Sequence, residues 1–175
     1  MTLHVHARGE GMPVVVLPSF SLDGNAMAEV FEPAFEAIPG WSRLYVDLPG
    51  TGASPPGEPR SDAVLNEVAE TLGSVLGSQR CVVAGWSYGG YLAAGLARRV
   101  PRQVGGLLLV CTGFKIRPED RNLAGVIPSV AEPDWLDDVP ASLHDHFVHA
   151  VGCQTAAVAS RVASVLACNG PVDED

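Results

Sequence analysis

The sequence predicts an α/β fold in which helices flank a mainly parallel sheet. Residues 14–17 and 107–110 are short runs of valine and leucine, typical of strands buried on both faces, and residues 81–84 form a third apolar run. The stretches between these runs carry apolar residues at helical spacing. Strands that alternate with helices in this way form a parallel sheet with right-handed crossovers.

The first part of the chain supplies an edge strand and the first crossover. Residues 2–7 alternate apolar and polar side chains, which is typical of an exposed edge strand. A helix is predicted over residues 26–38, and Pro33 is expected to break or kink it. Residues 44–46 form the next strand and lead into a loop.

The second crossover helix has its own start and stop signals. Ser61 and Asp62 are expected to cap it, its apolar residues between Val64 and Leu76 make one stripe, and Gly77 closes it. The element order to residue 110 is therefore ββαβαβαβ.

The character of the chain changes at Phe114. Four prolines divide the following segment, which shows no strand pattern, and helices are predicted over residues 141–151 and 155–168. The sequence thus divides into an α/β core at residues 1–113 and a helical segment at residues 114–175.

A serine flanked by glycines marks a sharp turn in the core. Ser87 follows the strand at residues 81–84 and precedes a helix that stops before Pro101. Gly85 and Gly89 stand where a strained strand-to-helix turn leaves no room for a side chain. The Gly-x-Ser-x-Gly pattern is therefore interpreted as a nucleophile elbow, which exposes the Ser87 hydroxyl and directs the first helical amides toward it.

Two other patterns do not predict sites. The pair Gly50-x-Gly52 lacks the third glycine and the following helix of a nucleotide-binding loop. On a helix, His144 and His146 diverge by about 200°, so they do not share a metal ion, and His146 with His149 supplies only two ligands. These histidines are interpreted as a solvated helix face. The sequence predicts no metal, nucleotide or flavin cofactor.

Composition restricts the partners and the compartment. The net charge of −9 argues against nucleic acid and anionic membranes as partners, and 47% hydrophobic content suffices for one core. No signal peptide or membrane-spanning stretch is found, so a cytoplasmic protein is expected. The cysteines show no C-x-x-C spacing and are predicted to be buried free thiols: Cys81, Cys111, Cys153 and Cys168.

Together these segments resemble the α/β-hydrolase superfamily. The resemblance covers residues 1–113 in order and spacing, as strands one to six of the hydrolase core, and residues 114–175 are similar to the lid of that superfamily. It rests on the strand and loop at 14–20, the D-x-P-G-x-G-x-S sequence at 47–54, the elbow at 85–90 and the strand at 107–112.

The resemblance implies roles for individual residues. Ser87 is the expected nucleophile, and the backbone amides of Tyr88 and Phe20 are the expected oxyanion donors. Members often carry His-Gly before the second donor, whereas this chain carries Pro-Ser, so Ser19 is expected to hold a strained backbone. Trp86 is expected to line an apolar pocket with the two donor residues.

The resemblance also indicates what the chain lacks. The catalytic acid and histidine of the superfamily follow its seventh and eighth strands, and neither strand is found in the sequence. The chain is therefore expected to be the front part of a longer hydrolase. An alternative triad would use an aspartate of the lid with His144, His146 or His149, although a lid helix seldom holds a base rigidly.

Two functions follow. The first is a serine hydrolase that cleaves an ester, or a similar acyl or C–C bond, of a small apolar acyl substrate. The reaction would pass through an acyl-enzyme on Ser87 and use no cofactor. This chain is expected to have little or none of that activity. The alternative is a non-catalytic binding or interaction module that retains the scaffold. In either case the unpaired edge of the strand at residues 107–110 is predicted to cause self-association, strand exchange or instability.

Overall fold

The computed structural model describes residues 3–113 and 127–167. These belong to two compact units, residues 3–113 and residues 127–167. None of the helices in these two ranges combines the length and the apolar character that crossing a bilayer requires.

The first unit has the predicted order of strands and helices, which confirms the α/β class. Strands and helices alternate because short apolar runs, nearly continuous in β2 and β4, are separated by apolar stripes of helical period. The elements are β1 (Val5–Arg8), β2 (Met12–Leu17), α1 (Gly24–Glu36), β3 (Trp41–Val46), α2 (Ser61–Leu76), β4 (Cys81–Trp86), α3 (Tyr88–Arg99) and β5 (Val104–Val110).

The five strands form one sheet in the order β1-β3-β2-β4-β5. Strand β1 runs antiparallel to β3, while the β3–β2, β2–β4 and β4–β5 pairs are parallel. The alternating segment at the N-terminus is thus an edge strand, as predicted. Strands β2 and β4 lie inside the sheet, so the carboxyl ends of β2 and β4 adjoin.

The core forms two layers because the side chains of β2 alternate between the faces of the sheet. Val14 and Val16 pack with Met27 of α1 on one face. Val15 and Leu17 pack on the other face with the apolar stripes of α2 and α3. Helices therefore cover the central strands on both sides.

Two details of the helices differ from prediction. Helix α1 continues through Pro33, ends at Glu36, and is capped by Asp23, whose carboxylate accepts the Ala26 amide at 2.8 Å. Helix α2 ends at Gly77 as predicted, but Ser61 is its first helical residue and no side chain caps its start. The Ser61 hydroxyl instead accepts a hydrogen bond from the Tyr88 hydroxyl at 3.1 Å.

The prediction that residues 107–110 are buried on both faces is wrong. Leu107, Leu108 and Leu109 are 43%, 48% and 40% exposed. Strand β5 is the last strand of the sheet in the described part of the chain, so it has a paired neighbour on one side only. An apolar run does not reveal whether neighbours exist to cover it.

The second unit packs a small core of its own. A short 3-10 helix (Ala141–Leu143) leads into α4 (His144–Ala150), and α5 (Ala156–Ala167) follows, close to the predicted helices. Phe147, Val139 and Ala159 are buried between them.

The prediction of no strand in this segment is wrong, because β6 (Val130–Ala131) and β7 (Cys153–Gln154) pair in parallel. Two-residue strands are too short to show a period.

The cysteines are only partly as predicted. Cys81 is buried in β4, where burial raises the pKa of its thiol. Cys111 and Cys153 are exposed free thiols, which corrects the prediction for both, and Cys168 lies outside the described residues.

An ion pair joins α1 to β3. The Glu32 carboxylate accepts hydrogen bonds from Arg43 Nε at 3.0 Å and Nη2 at 2.7 Å, and from the Tyr45 hydroxyl at 2.6 Å. Both charged side chains are largely buried, with 15% and 17% exposure for Glu32 and Arg43. The Arg43 hydrogen bonds lower the pKa of Glu32 below its usual value, despite the opposing effect of burial.

This ion pair predicts a pH-dependent contribution to stability. Because the folded-state pKa of Glu32 is below the usual value of 4.5, the contribution is complete above about pH 4.5 and is lost as the pH falls through the folded-state value. Glu32→Gln should lower the free energy of unfolding by about 2 kcal/mol at pH 7, and by less as the pH falls below about 4.5. Urea unfolding at a series of pH values measures this.

Glu36→Gln is the matched control, since Glu36 is exposed on the same helix. It should change the free energy of unfolding by about 0.5 kcal/mol or less. If the loss in the free energy of unfolding caused by Glu32→Gln stays the same from pH 7 to strongly acidic solution, the pH-dependent role of the Glu32–Arg43 ion pair is wrong.

Candidate active site

Ser87 lies at the turn between the end of β4 and the start of α3. Its backbone has φ 51° and ψ −112°, a conformation that side-chain-bearing residues seldom adopt. The turn is held on both sides, because the Ser87 amide donates to the Val110 carbonyl at 2.8 Å and the Tyr91 amide donates to the Ser87 carbonyl at 3.1 Å. Strain at one residue, supported by its surroundings, is typical of functional turns.

The glycines around Ser87 are required by close backbone packing. A Cβ at Gly85 would overlap the main chain of Gly89. A Cβ at Gly89 would overlap the carbonyls of Leu17 and Pro18 at the end of β2. The glycine pattern therefore brings the first turn of α3 against the point where the loop after β2 begins.

Helix α3 begins at Tyr88, so its first amides have no carbonyl partner within the helix. The Tyr88 amide is one of these, and the helix dipole adds partial positive charge there. This is the arrangement that suits a developing oxyanion, and the role of the amide remains a prediction.

Phe20 lies in the loop between β2 and α1. Its ring stacks on the ring of Tyr88 with centroids 4.2 Å apart and an 11° angle between the planes. The positive φ in this loop is at Ser21, with 60°, rather than at Ser19 where strain was expected. The stacking holds Phe20 beside the elbow, and its role as an amide donor is still a prediction.

A cavity of about 340 Å³ opens beside this stack. Its lining is mainly apolar and includes Phe20, Leu48, Pro49, Pro56, Val64 and Tyr88. In the described part of the chain neither Ser87 nor Trp86 lines it. Trp86 is half-buried and packs against the α1 side of the core, so a pocket role for Trp86 finds no support in this cavity.

The Tyr88 side chain contributes an apolar surface. It is 6% exposed, and burial raises the pKa of its hydroxyl. The phenol therefore stays neutral at physiological pH and hydrogen-bonds to Ser61, which ties the elbow to α2.

Asp47 follows β3 and joins three segments of the chain. Its fully buried carboxylate accepts the Gly24 amide at 2.7 Å and the Ala53 amide at 2.9 Å. His4 Nδ1 and His6 Nε2 lie 3.2 Å and 3.1 Å from its Oδ2. Burial alone would raise the pKa of Asp47, but the two amides and His6 outweigh it and hold the pKa below its usual value.

Sequence reasoning missed this cluster, although one signal was available. His4 and His6 are two residues apart where β1 begins, a spacing that places side chains on one face of a strand. In the described residues, His4, His6 and Asp47 bring three potential metal-ligand atoms within 4.8 Å of one another.

The histidines of the second unit have local partners. His144 Nε2 lies 2.8 Å from the Val139 carbonyl, and His149 Nε2 lies 3.4 Å from the Asp145 carboxylate. The His146 ring contacts the Phe147 ring edge-on. A catalytic role for any of them stays a prediction.

Two relatives that are similar in sequence are named as esterases. The chain is 31% identical over 135 residues to the pimeloyl-[acyl-carrier protein] methyl ester esterase of Shewanella woodyi, covering 74% of this chain and 47% of that protein. It is 34% identical over 133 residues to the Aeromonas salmonicida esterase of the same name, covering 74% and 49%. The chain thus spans about half the length of these relatives.

A solved structure shares the fold over nearly the whole chain. An alpha/beta superfamily hydrolase from Oenococcus oeni superimposes with a TM-score of 0.74 at 26% identity, covering 97% of this chain and 67% of the other. A sequence model of the alpha/beta hydrolase family matches residues 14–172. The strained serine turn, the parallel sheet that carries it and these similarities lead to one conclusion: the chain belongs to the alpha/beta hydrolase family.

Proposed function

We propose that this chain carries the nucleophile and oxyanion hole of a serine hydrolase that cleaves carboxylic esters of small apolar acyl groups. The observation that supports it most is the strained conformation of Ser87 at the start of α3, with φ 51°. Ester hydrolysis is also the activity named for the relatives from Shewanella woodyi and Aeromonas salmonicida.

In the proposed reaction the Ser87 hydroxyl oxygen attacks the ester carbonyl and loses its proton to a general base. The carbonyl oxygen becomes an oxyanion that accepts hydrogen bonds from the amides of Tyr88 and Phe20. The alcohol then leaves with a proton, and water attacks the acyl-enzyme to release the acid and restore Ser87.

The cavity supports a small apolar acyl group. Its volume of about 340 Å³ lies at the lower end of the range for ligand pockets, which begins at about 300 Å³. The Phe20 and Tyr88 rings form one wall, and Leu48 and Val64 contribute aliphatic surface. A short acyl chain would bury its surface here with its carbonyl near the amides of the two aromatic residues.

We further propose that the 175-residue chain has little activity by itself. Serine needs a base within hydrogen-bond reach. In the described part of the first unit the histidines are His4 and His6, and the hydrogen bonds of their rings go to each other and to Asp47 rather than to Ser87. Without a base, only the catalysis due to binding and the oxyanion hole remains.

A fluorophosphonate probe and short-chain nitrophenyl esters test both parts. The chain should label slowly at Ser87, and its ester kcat/KM should be about 10³-fold or more below that of the Shewanella woodyi relative. Ser87→Ala should abolish the labelling and the remaining esterase rate. Mass spectrometry of the labelled peptide identifies the site.

Ser74→Ala is the matched control, because Ser74 is exposed on α2. This substitution should leave both the probe labelling and the esterase rate unchanged. Labelling that persists in Ser87→Ala would disprove the proposal that Ser87 is the nucleophile. An ester kcat/KM equal to that of the Shewanella woodyi relative would disprove the proposal that this chain has little activity. Binding of an apolar ester analogue with no labelling would favour the non-catalytic module.

We also propose that the edge of β5, which has no paired neighbour on one side among the described residues, associates with another copy of the chain. Three consecutive leucines, Leu107, Leu108 and Leu109, are each at least 40% exposed on a strand that ends the described sheet. An exposed apolar edge of this kind offers unpaired backbone groups as well as apolar surface.

Leu108→Lys tests this proposal, because a charge on the edge opposes pairing. Light scattering after size exclusion should show dimers or larger species for the chain, and a dissociation constant raised by roughly tenfold or more for the variant. Val75→Lys on α2, where Val75 is 46% exposed, should behave as the unmodified chain. A monomer at high micromolar concentration would refute the proposal.

A reducing compartment such as the cytoplasm is proposed as the location. The supporting observation is that Cys81, Cys111 and Cys153 are all free thiols.

A further inference from the structure

Three potential ligand atoms converge where β1 meets the end of β3. His4 Nδ1 and His6 Nε2 are 3.2 Å apart, and they lie 3.2 Å and 3.1 Å from Asp47 Oδ2. The three atoms therefore form a nearly equilateral triangle. Neither the nucleophile nor the oxyanion donors of the proposed hydrolase belong to it.

Hydrogen bonds alone do not account for all three close contacts among these atoms. Each imidazole nitrogen carries at most one hydrogen and the ionised carboxylate carries none, so two hydrogens are available for three close contacts. If both rings donate to Asp47, two N–H groups face each other across 3.2 Å. If one ring donates to the other, a nitrogen lone pair faces the carboxylate oxygen across a similar distance.

A metal ion satisfies all three atoms together. Ligands at Zn–N and Zn–O distances of about 2.0–2.1 Å stand about 3.3 Å apart in a tetrahedral site and about 2.9 Å apart in an octahedral one. The observed separations of 3.1–3.2 Å lie between these values. Small side-chain adjustments would reach either geometry.

The surroundings are also those of a built site. The Asp47 carboxylate is fully buried and is oriented by the amides of Gly24 and Ala53, as outer hydrogen bonds orient metal ligands. The side chain of His4 is 46% exposed and that of His6 is 23% exposed, so an ion can enter from solvent and keep a water ligand.

We propose that His4 Nδ1, His6 Nε2 and Asp47 Oδ2 bind a divalent transition-metal ion, with Zn²⁺ as the best match to two imidazoles and one carboxylate. Harder ions such as Mg²⁺ and Ca²⁺ prefer all-oxygen sites. The role is structural bracing, because the ion would link the start of β1 to the carboxylate that holds Gly24 and the loop at residues 48–54. This inference is independent of ester hydrolysis at Ser87.

Titration calorimetry with Zn²⁺ on the purified chain tests the proposal. One equivalent should bind with micromolar or tighter affinity, whereas Mg²⁺ and Ca²⁺ should not compete. Excess Zn²⁺, at a hundred times the dissociation constant, should raise the Tm by about 5 °C or more. His4→Ala and His6→Ala should each weaken binding by about 100-fold or more and remove the Tm shift.

His149→Ala is the matched control, because His149 also pairs with an aspartate but lies in the second unit. It should bind Zn²⁺ like the unmodified chain. Circular dichroism checks the folding of each variant, and His4→Ala, at the more exposed position, decides the result if His6→Ala does not fold.

Co²⁺ serves as a spectroscopic probe of the ligands. Co²⁺ bound at the two histidines and Asp47 should absorb visible light without a thiolate-to-cobalt charge-transfer band. Such a band would report binding at the exposed thiols of Cys111 or Cys153 instead. Such a band, unchanged Zn²⁺ affinity in His4→Ala, or no one-to-one binding by the unmodified chain would each overturn the proposal.

Discussion

Close packing of main chain against main chain at the β4–α3 turn is the constraint on which the site depends. Gly85 touches the backbone of Gly89, and Gly89 in turn touches the carbonyls at the end of β2. A side chain at either position would force α3 away from the sheet. The Ser87 hydroxyl and the Tyr88 amide would move with it, because both belong to the β4–α3 junction.

That contact also explains why the loop after β2 belongs to the site. Pro18 lies against the first turn of α3, so the residues that follow it are held beside the elbow. The stacking of Phe20 on Tyr88 adds an aromatic contact of the kind worth about 1 kcal/mol. One glycine therefore positions a helix and a loop together.

Asp47 holds the loop that follows β3. An ionised carboxylate is costly to bury, and here hydrogen bonds from Gly24 and Ala53 offset that cost. Gly52 is needed for the arrangement, since its φ is 51° and a Cβ there would overlap the Asp47 carboxylate. The D-x-P-G-x-G-x-S sequence is thus a loop wrapped around its own first residue, and part of this loop lines the cavity.

The elements that sequence predicts correctly are those that depend on neighbouring residues alone. Residues 14–17 and 81–84 form strands because each is a short apolar run, and α2 ends at Gly77 because glycine adopts the backbone conformation that ends a helix. Both signals are contained within a few neighbouring residues. Ser61 was misassigned as a cap because its hydroxyl pairs with Tyr88, 27 residues away. The exposure of β5 was missed because burial depends on neighbours rather than on the strand itself.

The sequence by itself determined the α/β class, the order of the elements and the position of the serine turn. These depend on periodicity and on glycine, both of which are local properties of the chain. Only the tertiary structure decided that His4 and His6 meet Asp47, which is separated from His6 by 41 residues, and that Phe20 stacks on Tyr88. Such contacts arise when distant segments pair in a sheet, and the register of that pairing is set by the packing of the whole core.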